Sequence, residues 1–195
     1  MQHKVKVTVI DKKLYPELQA GYCADPNAGA CPCYQVGDEF LFERYGSADD
    51  FWKMGLNTLK RTSGKAEETA GGTGFPHCSE AWDAIARYIY TGLQGGAIMR
   101  GWMKDERVMI ACCSDGTRPV IFKIERMDYR ALYLDGIAGD TGREAVKRAL
   151  EALEDVREVV FREGFAEVFL ERDVPEETLR DAVGHCGPYT VKRID

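Results

Sequence analysis

Residues 130–161 read RALYLDGIAGDTGREAVKRALEALEDVREVVF, and this stretch decides the fold of the C-terminal part of the chain. Residues 130–136 alternate apolar and polar side chains, which is typical of a half-buried strand. Residues 142–154 repeat their apolar side chains at helical spacing instead. Thr141 and Glu144 have the spacing of a capping box, which predicts that the helix begins there. The stretch therefore predicts a strand followed by an amphipathic helix.

The chain continues with elements that complete a known pattern. Residues 156–162 and 165–171 predict two strands that turn at Gly164. Pro175 opens a second predicted helix, because proline is favoured in the first helical turn. Residues 189–194 predict a last strand. The predicted order is βαββαβ, the ferredoxin-like arrangement.

Residues 130–194 resemble a heavy-metal-associated domain, in which a Gly-Met-x-Cys-x-x-Cys loop follows the first strand. Here the loop reads GIAGDTG over residues 136–142, and LEDVREV over residues 153–159 matches the signature of the second strand. Gly139 and Gly142 occupy the positions of the two metal-binding cysteines. The resemblance thus implies that fold without its metal ligands. We expect such a domain to pair with a second copy or a partner protein, since its sheet has an open edge.

The N-terminal part mixes strands and helices. The hairpin turn Ser114–Thr117 joins two of its strands. Residues 45–77 carry little pattern beyond a short helix suggested by residues 52–59 and a mobile loop predicted over 61–76. The chain is therefore predicted to be an α+β protein of two domains, 1–127 and 128–195. The other elements predicted in the N-terminal part are strands at 4–10, 38–44, 107–113 and 118–126 and helices at 14–22 and 79–93, the latter with Ser79 as its N-cap.

Three sequence blocks of this N-terminal part resemble an uncharacterised family of small prokaryotic proteins. The first block reads GACP at residues 29–32, followed by VGDEF at 36–40. The second reads CSEAW at residues 78–82, and the third ACCSDGTRPV at 111–120. The resemblance spans most of residues 1–126 and implies no particular activity.

Composition narrows the function classes. The chain of 195 residues is 45% hydrophobic and has a net charge of −6 without a basic stripe, so we expect no nucleic-acid partner. No apolar run approaches the roughly 20 residues of a membrane span, and the charged, alternating N-terminus is unlike a signal peptide. We therefore expect a cytoplasmic protein whose seven cysteines stay reduced.

Six of those cysteines lie between residues 23 and 113, and most adjoin another metal ligand. Neighbours at i and i+2 on an extended segment point the same way, so Cys31 and Cys33 could share a site. Consecutive strand residues point to opposite faces, so only one of Cys112 and Cys113 should join it. The candidate metal ligands are Cys31, Cys33, His77, Cys78, Cys112 and Cys113, with Cys23 in reserve.

Three hypotheses follow from these cysteines. Four such ligands would suit zinc, copper(I) or an iron–sulfur cluster in a transition-metal-binding or thiol-redox protein. A small cysteine-dependent enzyme would use Cys78, placed at a helix start where thiol pKa values fall, with His77 as its base. Otherwise the cysteines are core residues of a structural or interaction protein. Arg118 either places a cation beside the site or caps the hairpin turn.

Overall fold

The computed structural model describes residues 1–43, the backbone of residues 59–63, and residues 78–195. Helices and antiparallel strands occur throughout, which confirms the α+β class. The chain divides into two compact units. One unit is His3–Arg126, and the other is Met127–Asp195 together with Met1–Gln2.

The unit His3–Arg126 contains an antiparallel sheet and two helices. Its strands lie in the order β3-β2-β1-β5-β4. Strand β1 alternates along its length, and β4 pairs with β5 as the hairpin around residues 114–117 predicts. The elements are β1 (Gln2–Lys12), α1 (Pro16–Tyr22), β2 (Glu39–Glu43), β3 (Leu59–Ser63), α2 (Ser79–Leu93), β4 (Val108–Cys112) and the first half of β5 (Val120–Asp135).

The core of this unit is formed by one face of the sheet and the apolar face of α2. Alternation along β1 turns every second side chain inward, and helical spacing does the same along α2. Each fully buried aliphatic or aromatic side chain contributes roughly 1.5–3 kcal/mol. The core therefore fixes the positions of the loops at the strand and helix ends. Its fully buried members include Val5, Val7, Val9, Phe40, Ile85, Ile89 and Phe122.

Two predictions about this unit are wrong. Helix α2 has Cys78 as its N-cap in extended conformation, and Ser79 is the first helical residue. Leu59–Ser63 form strand β3, which pairs with β2, so the predicted loop cannot begin at residue 61. Pairing with β2 satisfies the backbone hydrogen-bonding groups of Leu59–Ser63, although the side chains of this segment do not alternate. The rest of the predicted short helix and of the predicted loop lies outside the described residues.

The second unit has the predicted order of elements, β5-α3-β6-β7-α4-β8. Its strands lie side by side in the order β8-β5-β7-β6, and all three pairings are antiparallel. The two helices contact each other and cover a core that includes Leu132, Val146, Leu150, Val168 and Leu179. The elements are α3 (Gly139–Glu151), β6 (Val156–Phe161), β7 (Ala166–Leu170), α4 (Glu176–His185) and β8 (Thr190–Ile194).

Two further predictions need correction. Helix α3 begins at Gly139 after an extended N-cap, Ala138, and no side chain caps it, so the capping box at Thr141 does not form. Gly139, the first residue of the helix, has φ +69°, a left-handed conformation that glycine adopts without strain. Strand β5 is continuous from Val120 to Asp135, because no turn residue interrupts the alternation between the two strands predicted there.

No helix within residues 1–43 and 78–195 is long and apolar enough to cross a bilayer.

Candidate thiol site

The loop that carries Cys31 and Cys33 is held against strand β1 by a lysine. The chain bends at Pro32 and Cys33. On either side of that bend, Lys12 Nζ donates to the carbonyl oxygens of Cys31, at 2.7 Å, and Tyr34, at 2.6 Å. Hydrogen bonds from a charged donor are stronger than neutral ones. Lys12 thereby fixes both ends of the four-residue segment 31–34.

A buried glutamine holds the preceding part of the same loop. Gln19 of α1 is 2% exposed, and its Nε2 donates to the Gly29 carbonyl at 3.0 Å. The Gly29 N–H donates back to Gln19 Oε1, also at 3.0 Å. Gly29 has φ +74°, which other residues adopt only with strain. On the far side of the loop, buried Asp38 accepts from the Gln35 N–H at 2.9 Å, so the loop is pinned before and after its thiols.

Tyr34 is the centre of the site. Its side chain is 1% exposed. The ring packs edge-on against Phe122, with centroids 5.3 Å apart, and against Phe40, at 6.1 Å. Edge-to-face pairs of this kind are the favoured geometry between aromatic rings. The packing fixes the direction of the ring and hence the place of its hydroxyl.

The hydroxyl of Tyr34 lies within electrostatic range of several thiols. Burial raises its pKa well above the ordinary value, and negative charge on the surrounding sulfurs would raise it further. The phenol therefore stays neutral at physiological pH and keeps its O–H as a donor. The thiols that act on it, in decreasing order of effect, are those of Cys78, Cys33, Cys31 and Cys113.

Cys33 interacts with two other thiols of this group, those of Cys31 and Cys78. Its pKa is raised, first by burial and then by the thiols of Cys31 and Cys78. Arg118 acts in the opposite direction with a smaller effect. The Cys33 thiol is thus kept protonated by its surroundings.

Cys78 approaches from the start of helix α2. As N-cap it has extended backbone angles, φ −131° and ψ 111°, and its carbonyl accepts the first helical hydrogen bond from the Trp82 N–H at 2.9 Å. Its half-buried side chain packs against the core of the unit, as does that of Cys31. The Cys78 thiol also raises the pKa values of Cys33 and Tyr34, so it lies near both.

Cys112 ends strand β4, and Cys113 follows it directly. The two side chains have different surroundings, as strand alternation predicts. Cys113 is buried, and its sulfur accepts a hydrogen bond from the Val120 N–H at 3.3 Å. Cys112 is exposed, and its thiol donates to the Cys113 carbonyl at 3.2 Å. Burial and the neighbouring Cys113 raise the pKa of Cys112. Of the two, only Cys113 faces Tyr34.

The hairpin after Cys113 carries Arg118, whose guanidinium is held in one orientation near the thiols of Cys31 and Cys33. Asp115 Oδ1 accepts from the Thr117 N–H and hydroxyl, both at 2.9 Å, while Oδ2 accepts from Arg118 Nε at 3.0 Å. Burial opposes ionisation of Asp115, but these hydrogen bonds outweigh it and hold its pKa below the ordinary value. Arg118 interacts electrostatically with Cys31 and Cys33. Both alternatives for Arg118 therefore hold, since it closes the turn and stands beside the thiols.

The predicted site residues thus have different outcomes in the structure. Around Tyr34 the structure brings together Cys31, Cys33, Cys78 and Cys113, and Cys112 is turned away. His77 lies outside the described residues, so its pairing with Cys78 is not described. Among residues 1–43 and 78–195, no three His, Cys, Asp or Glu side chains are arranged to hold a metal ion.

The remaining two cysteines take no part in this group. Cys23 is the C-cap of α1, where its N–H donates to the Gln19 carbonyl at 3.0 Å. Cys186 lies in the other unit, and its thiol donates to the Val183 carbonyl at 3.1 Å. The four cysteines around Tyr34 therefore all belong to the unit His3–Arg126.

Three residues of the site escape sequence reasoning. Tyr34 follows the cysteine pair directly, which is a usable signal, but only packing shows that it is buried. Lys12 ends a strand, and a charge there reads as a solvated residue. Gln19 in a short helix gives no hint that it binds a loop ten residues away.

Comparison with known proteins adds no further identification. No protein-family model, curated protein or solved structure matches the chain. The two resemblances noted from sequence stay predictions.

Proposed function

We propose that the unit His3–Arg126 is a thiol-redox module in which Cys33 forms a reversible disulfide. Its first partner is Cys31, and Cys78 is the third thiol of the exchange. The observation that supports this proposal most is that the thiols of Cys31 and Cys78 both act electrostatically on Cys33, which places three thiols near one another. Thiols that already lie near one another in the reduced state need little rearrangement to bond.

The surroundings of the pair suit exchange better than permanent burial. Cys33 is exposed, so a disulfide reagent can reach it, while Cys31 is partly covered. Thiolate, not thiol, is the reacting species in disulfide exchange. Arg118 lowers the pKa of the Cys33 thiol and so favours its thiolate. The structural elements that hold the loop would also limit its motion between the two states.

The reaction has two steps. A thiolate of the pair attacks one sulfur of a substrate disulfide, forming a mixed disulfide and releasing one substrate thiolate. The second thiol of the pair then loses its proton and attacks the mixed disulfide, which releases the other substrate thiolate. The protein gives up two electrons and two protons, and the substrate disulfide is reduced to two thiols.

A redox titration tests the proposal. The protein, purified without chelator, is equilibrated in glutathione buffers of graded poise, quenched in acid and alkylated, and its thiols are counted by intact mass. We expect one reversible transition in which two thiols disappear. Cys33→Ser should abolish it, because both partners depend on Cys33, and Cys112→Ser, another exposed cysteine, should leave it unchanged.

Two results would contradict the proposal. One is the absence of any reversible transition in the wild-type protein, and the other is a transition that survives Cys33→Ser. A third result would favour the transition-metal hypothesis instead. In that case the purified protein holds stoichiometric zinc or copper, Cys33→Ser loses the metal, and no disulfide forms.

A further inference from the structure

The guanidinium of Arg118 is only partly used within the protein. Its Nε donates to Asp115, and that single contact fixes its orientation. The two terminal nitrogens donate to no atom of residues 1–43 or 78–195, and neither is buried. The Arg118 side chain is about one-third exposed, at 31%. An oriented pair of donors therefore faces solvent beside Cys31 and Cys33.

Other charged groups near these thiols have partners of their own. Lys12 is engaged by two carbonyl oxygens, and Asp38 by a backbone N–H. Glu80, in the first turn of α2, accepts from the Ser114 hydroxyl. Asp115 is the carboxylate that faces Arg118, and it is already saturated with donors. The terminal nitrogens of Arg118 are thus the donors that this site offers to an incoming anion.

We propose that Arg118 binds the carboxylate of its substrate, which makes small, carboxylate-bearing disulfides the preferred substrates of this site. A guanidinium presents two parallel N–H groups that match the two oxygens of a carboxylate. In disulfides built from cysteine, the carboxylate stands a few bonds from the sulfur. Binding it at Arg118 would bring that sulfur to Cys31 or Cys33. The inference rests on the proposed thiol-redox function.

Arg118 has a second effect that any test must separate from recognition. Its charge stabilises thiolate at the pair and so accelerates reaction with every disulfide. Recognition of a carboxylate instead accelerates only the reaction with anionic disulfides. The ratio of two rate constants, one for an anionic and one for a neutral disulfide, isolates recognition because the thiolate effect cancels.

The experiment measures single-turnover rates of the reduced protein with two small disulfides of similar size. One is 3,3′-dithiodipropionate, which carries a carboxylate a few bonds from each sulfur, and the other is bis(2-hydroxyethyl) disulfide, which is neutral. We expect Arg118→Gln to lower the ratio of the two rate constants by about tenfold, the equivalent of one charge-assisted hydrogen bond. Arg118→Lys keeps the positive charge but loses the two parallel N–H donors of the guanidinium. Its ratio of rate constants should lie between those of the wild type and Arg118→Gln. Arg100→Gln, at an exposed arginine paired with Glu106, is the matched control and should leave the ratio unchanged.

The outcomes are distinguishable. A ratio that Arg118→Gln leaves unchanged overturns the inference, even if both rates fall together, and the thiol-redox function stands. A wild-type protein that reduces neither disulfide overturns the proposed function and the inference with it. Native tryptophan fluorescence of each variant ensures that a lost ratio is not a folding defect.

Discussion

Replacing Lys12 by methionine removes the ammonium that joins the carbonyls of Cys31 and Tyr34 and keeps most of the side-chain stem. Each hydrogen bond from a charged donor contributes about 1.5–3 kcal/mol when it is shielded from water. Lys12 is only partly buried, so we take about 2 kcal/mol for the two bonds together, because solvent screening weakens exposed charges. For a urea dependence of about 2 kcal/mol per molar, the midpoint should fall by about 1 M.

Tryptophan fluorescence is the suitable probe for this unfolding transition, because all three tryptophans lie in residues 1–126. Lys13→Met is the matched control. Its ammonium contacts Asp11 at 2.6 Å on the surface, where such pairs contribute little. We expect its midpoint to stay at the wild-type value. Equal midpoints for Lys12→Met and Lys13→Met would refute the argument that the lysine holds the thiol loop.

Three other predictions concern single groups of the site. Because the pKa of Cys33 is raised above 9.0, its alkylation by iodoacetamide should still accelerate above pH 9, and a plateau reached by pH 8 would contradict this. The raised pKa of Tyr34 stabilises the fold fully below pH 10 and progressively less above it. Tyr34→Phe should therefore gain stability relative to the wild type between pH 10 and 11 in urea titrations, and a constant difference would count against burial of a neutral phenol. Gly29→Ala should cost about 1–2 kcal/mol through its left-handed backbone, whereas Gly116→Ala, with open space around it and no positive φ, should cost less; equal losses would show that φ at residue 29 does not matter.

The parts of the fold that sequence predicts are those governed by local periodicity. Residues 79–93 carry an apolar stripe at helical spacing, and helix α2 has those bounds. Alternation predicts both the inward valines of β1 and the opposite surroundings of Cys112 and Cys113. Each of these features depends only on neighbouring residues, so one stretch of sequence contains all the information needed.

The parts that sequence misses depend on partners far along the chain. Strand β3 forms because β2 offers its backbone, and its own residues show no strand pattern. The hydrogen bonds of Lys12 span 19 and 22 residues, and the loop that they hold decides which cysteines meet. Sequence could therefore name the cysteines of the site, but not the residues that hold the loop or the buried Tyr34 between the thiols.

The central claim is that Cys33 and Cys31 form a reversible disulfide, and peptide mapping tests it most directly. Trypsin should release residues 14–44 as one peptide, which contains this pair and Cys23. After mild oxidation and alkylation, we predict that this peptide carries an internal disulfide and one alkylated cysteine, and that dithiothreitol reverses it. The same internal disulfide should form in Cys23→Ser. Three alkylated cysteines in this peptide after oxidation, or an internal disulfide that requires Cys23, would contradict the claim.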